Sequence, residues 1–120
     1  MLPDGWMAVT RPGDRETVGY LEPLDPGYER VQARSLLGHA VGVPADLATA
    51  EELLVERGIV EVGATWLLLD EDGDVAGHVA VLEVSTDGIA VADALATKAL
   101  APTPRTLLAW PDTDRRLRPS

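Results

Sequence analysis

The run Val75-Ala76-Gly77-His78-Val79-Ala80-Val81-Leu82-Glu83-Val84 sets the architecture. Side chains alternate across a strand, so Val75, Val79 and Val81 share one face while Ala76, Ala80, Leu82 and Val84 share the other. Both faces are apolar, and the segment therefore reads as a central strand covered on both sides. Glu83 alternates in register with Val79 and Val81 and is expected to point inward. His78 falls on the Ala76 face and reads as a partly buried, hydrogen-bonded histidine.

Turn signals bracket this strand, with Glu71-Asp72-Gly73-Asp74 before it and Thr86-Asp87-Gly88 after it. They predict a meander of strands over residues 65–69, 75–84 and 88–92. Two further signals lie upstream, Arg11-Pro12-Gly13-Asp14 and Asp25-Pro26-Gly27, in which Pro pre-sets the first turn angle and Gly accepts a positive φ. Residues 6–11 and 16–21 flank the first as a hairpin, with Trp6, Ala8 and Thr10 on one face of one arm and Val18 and Tyr20 together on the other arm. A helix is predicted over residues 50–57. Thr49 is its expected cap, with Glu52 three residues on and an Ala48–Leu53 staple. Glu51 and Glu52 suit its positive end, Arg57 its negative end, and Gly58 its stop. Two turns do not hold in water alone, so Leu53 and Leu54 are expected to pack on the sheet, the helix serving as cover for the strand at 75–84.

Residues 36–44 read as one more strand or an extended connection, 93–104 as a helical turn or a loose excursion, and 106–110 as a last strand. The resulting expectation is a single α+β domain over residues 1–110: a mostly antiparallel, curved or barrel-like sheet of five to seven strands with one short helix at about residues 50–57, and a disordered tail at 111–120. A β-sandwich is the alternative.

The chain has 120 residues, 46% of them apolar, and no cysteine, which removes disulfides, thiolate metal sites and cysteine nucleophiles and points to the cytoplasm. No basic run followed by an apolar stretch opens it, and no apolar run approaches the roughly 18 residues a membrane span requires. The net charge is −10, unevenly spread: residues 46–93 hold twelve acids against Arg57 alone, whereas residues 94–120 hold five bases against two acids. Such a middle repels a phosphate backbone or an anionic bilayer, which argues against direct nucleic-acid or membrane binding. The basic stretch Arg115-Arg116-Leu117-Arg118 reads as a frayed terminus. With no Phe, the aromatic core must come from Trp6, Trp66, Trp110, Tyr20 and Tyr28.

Motifs for chemistry are sparse. Asp70-Glu71-Asp72-Gly73-Asp74 resembles the start of a calcium loop, but the positions that would need Gly and a bidentate Glu hold Val75 and Val81, so it reads as a polar hairpin tip. His39 and His78 have no partner at helical spacing for a local zinc pair, and His39 reads as exposed. Ser35, Ser85 and Ser120 lie in no nucleophile elbow, and no glycine-rich phosphate loop occurs. Arg11 and Arg15 read as solvated charges at a turn, and Glu61 has no distinctive context. No catalytic, cofactor-binding or metal-ligating residue is assigned. Two functions are carried forward. The first is a non-enzymatic interaction or accessory module whose acidic middle meets a basic protein partner. The second is a small enzyme or ligand-binding barrel using carboxylates and His78 in a concave mouth.

Overall fold

The computed structural model describes residues 2–120. The chain divides into two compact units, residues 1–59 and 60–120. Each carries its own antiparallel sheet, and neither sheet closes into a barrel. The α+β class and the antiparallel pairing match the sequence reading. The strands form two sheets, however, where one rolled sheet was expected.

In the first unit β1 (Met7–Thr10), β2 (Thr17–Pro23), β3 (Val31–Arg34) and β4 (Ala40–Ala45) make a four-stranded meander in sequence order. Each link is a turn held by a side-chain acceptor of its own. Asp14 takes the N–H of Glu16 at 3.0 Å and the Arg11 guanidinium. Asp25 takes the N–H groups of Gly27, Glu29 and Arg30 at 2.8–3.0 Å. Ser35 Oγ takes those of Leu37 and His39 at 3.2 Å. The last turn resolves the ambiguous segment 36–44 into a hairpin, because a buried Ser35 closes the loop from inside.

Helix α1 (Leu47–Arg57) follows and packs on β1–β4 of its own unit, where the sequence reading had assigned it to the strand at 75–84. It also begins three residues earlier than expected. Asp46, not Thr49, is the cap, and its carboxylate accepts the Thr49 N–H at 2.8 Å. The stop at Gly58 agrees with the sequence, its N–H donating to the Leu54 carbonyl. Ala50 and Leu54, four residues apart, form the inward stripe, whereas Leu53 is 38% exposed. They join Val9, Val18, Leu21, Val31 and Ala33 in one core, in which each fully buried aliphatic side chain contributes about 1.5–3 kcal/mol. Leu54 reaches the sheet over Gly19. A Cβ there would lie 2.9 Å from Leu54 Cδ2 and 2.4 Å from the Arg34 carbonyl oxygen.

The second unit holds β5 (Thr65–Leu69), β6 (Val75–Ser85), β7 (Gly88–Asp93), the five-residue helix α2 (Ala94–Lys98), β8 (Thr106–Leu108) and β9 (Leu117–Pro119), in sheet order β8-β7-β6-β5-β9. Strand β6 is central, as its two apolar faces predict. Only Val79, Ala80 and Val81 are buried on it, however, and the strand buried throughout is β7, from Gly88 to Ala92. The tail at 111–120 is not disordered in the structure. Asp112, itself buried, accepts the N–H groups of Arg116 and Leu117 at 2.9 and 3.0 Å, and β9 then pairs with β5 and seats a fully buried Leu117.

Candidate functional site

Helix α1 places its acids by simple periodicity. With Ala50 and Leu54 turned to the sheet, Glu51, Glu52 and Glu56 fall outside that stripe, and all three are exposed. Together with Thr10 at the end of β1, Pro12 in the turn after it, and Ala48 and Val55, they line an open cleft of about 330 Å³. The cleft thus offers carboxylates beside the apolar surface of Pro12, Ala48 and Val55. Helix stability does not explain this pattern. Glu52 and Glu56 are like charges at i,i+4, and Glu56 stands near the negative end of the helix dipole; both placements oppose the helix. The adjacent Arg11 is held by Asp14 at 2.6 Å and is thereby occupied beside the cleft.

The electrostatics around this helix are set by local donors. The Arg11 guanidinium, followed by the Glu16 N–H, lowers the Asp14 carboxyl to about 2. The Thr49 N–H holds Asp46 below the usual carboxylate range, and the Glu29 and Arg30 N–H groups do the same for Asp25. These three aspartates are structural anions of turns and caps.

The other candidates from the sequence do not converge. Asp70 closes its own hairpin tip, its Oδ1 accepting the N–H groups of Asp72 and Asp74 at 2.9 and 3.0 Å. Among the described residues no group of three or more His, Asp or Glu side chains is placed to hold a metal ion. His78 is exposed on β6 opposite Leu67, where a partly buried residue was expected, and His39 is half-buried, where an exposed one was expected. Glu83 does not point inward. A bulge between Val81 and Glu83 shifts the pairing by one residue, so Glu83 turns outward, 75% exposed, and meets Arg105 at 3.0 Å. The barrel mouth in which carboxylates and His78 were to meet does not form, because the sheets stay open. Glu61, which has no distinctive context in the sequence, is fully buried: its Oε2 accepts the Val60 N–H and its carbonyl accepts Trp66 Nε1–H. Trp66 and Tyr20 are buried core aromatics, while Trp6 lies 6.3 Å from Tyr20 and beneath the Arg34 guanidinium.

The cleft on α1 was legible only in part. In the sequence Glu51 and Glu52 read as partners of the helix start and Glu56 carries no signal of its own; the apolar wall from Pro12 depends on a tertiary contact that no local pattern announces. Comparison with known protein families, with curated proteins and with solved structures finds no match. Among the described residues no helix is long and apolar enough to cross a membrane.

Proposed function

We propose that the protein is a non-enzymatic interaction module of the cytoplasm, receiving a basic, amphipathic segment of another protein on the outer face of α1. The observation that carries this reading is the α1 cleft, where Glu51, Glu52 and Glu56 stand beside Pro12, Ala48 and Val55. Carboxylates select arginine and lysine and speed their approach, and the apolar wall gives the aliphatic side of such a segment somewhere to lie. The chain's net charge of −10 extends the attraction beyond the cleft, and the lack of cysteine suits a reducing compartment.

The test is a titration with a synthetic amphipathic peptide rich in Arg and Lys, followed by amide NMR on the full chain. Shifts should concentrate at residues 10–12 and 47–57, and affinity should fall steeply between about 50 and about 300 mM salt as screening shortens. Shifts spread over all acidic surfaces, or affinity indifferent to salt, would refute the assignment.

A further inference from the structure

The second unit carries another cleft, of about 520 Å³, between β6 and α2. Its chemistry is unlike that of the rest of the unit. Residues 60–120 hold ten acids and five bases, yet no carboxylate lines this cleft. Its walls are Val62, Ala80, Val81, Leu82 and Ala94, with Thr65, Thr97 and Lys98 as its polar side chains. Lys98 is the sole lysine of the chain. By contrast, the clefts at the β5–β6 tip, at the β2–β3 turn and on α1 are each lined by two or more acids.

From this arrangement we infer that the β6–α2 cleft binds a small organic carboxylate with a compact apolar body. The apolar part lies against Val62, Leu82 and Ala94, and the carboxylate meets the Lys98 ammonium at the rim. The volume lies within the range of small-molecule sites, which are mostly apolar with a few orienting polar groups. In a unit whose other charges are mostly acidic, a cleft with one cation and no acid selects an anion over a cation. The site shares no residue with the α1 cleft and does not depend on the function proposed for that helix.

The probe is hexanoate, with hexanol as its uncharged counterpart, each titrated into the isotope-labelled full chain and read by amide shifts. Hexanoate should give saturable shifts at residues 80–82 and 94–98 and bind about three- to fivefold more tightly than hexanol, the worth of a partly solvated charge pair. Lys98→Gln, at an exposed position that leaves the fold intact, should bring hexanoate down to the hexanol level, whereas Glu52→Gln should leave it unchanged. Equal binding of the two probes, hexanoate binding unaffected by Lys98→Gln, or shifts that do not saturate at these residues would overturn the inference.

Discussion

At Gly19 a single hydrogen atom decides how closely helix and sheet approach. A methyl group there meets the Arg34 carbonyl oxygen at 2.4 Å, and a backbone atom held in a ladder cannot step aside. Gly19→Ala is therefore expected to cost about 1–3 kcal/mol, as overpacking does, and Leu54→Ala about 2–5 kcal/mol from the cavity it leaves; denaturant midpoints measure both. Asp46 acts through its acceptor oxygen, so Asp46→Ala should lower Tm by a few degrees while Asp46→Asn, an equally good cap, should restore most of the loss. The lowered carboxyls also fix a pH dependence. Asp14, Asp25 and Asp46 have folded pKa values below their unfolded ones, so their contribution is complete above about pH 4 and is lost as pH falls below it, for Asp14 towards about 2. The Tm difference between the wild type and Asp14→Asn should narrow over that interval; a constant difference would contradict the role given to the Arg11 pair. The misreading of Thr49 as the cap belongs to this scale, since Thr49 and Asp46 both suit the position and only the start of the inward stripe at Ala50 separates them.

Among the elements, those with a strong local signal were legible. Alternating apolar side chains between Asp–Gly turns gave β5, β6 and β7 almost to the residue, and Pro12-Gly13 gave the β1–β2 hairpin. What escaped depends on partners distant in sequence. Strand β9 has only three residues, two of them Arg118 and Pro119, and becomes a strand because β5 has an open edge and Asp112 aims it there. Leu117, fully buried, anchors it. Leu117→Ala should destabilise by about 2–5 kcal/mol, and an amide-exchange experiment should show residues 66–68 losing protection when 111–120 are removed. Unchanged exchange at β5 would mean that the tail does not belong to the sheet. Bulges limit legibility in the same way. The slip between Val81 and Glu83 cancels the strict alternation on which Glu83 was placed inward, and nothing in the local residues marks it.

For the molecule as a whole, the central matter is where the negative charge is spent. The sequence shows its uneven distribution, with twelve acids in residues 46–93, but not which acids face a surface able to hold a partner. The structure separates them. Asp46 and Asp70 accept backbone N–H groups, Glu83 pairs with Arg105, and Glu61 is buried, whereas Glu51, Glu52 and Glu56 flank an apolar cleft. Recognition by this helix and attraction by bulk charge make different forecasts. The decisive measurement is calorimetric titration of the basic amphipathic peptide into two variants of equal net charge, Glu51→Gln/Glu52→Gln on the helix and Glu71→Gln/Asp72→Asn at the hairpin tip. Binding through α1 predicts about a tenfold loss for the helix variant and less than about twofold for the tip variant; equal losses in the two would show that the helix face is not the site.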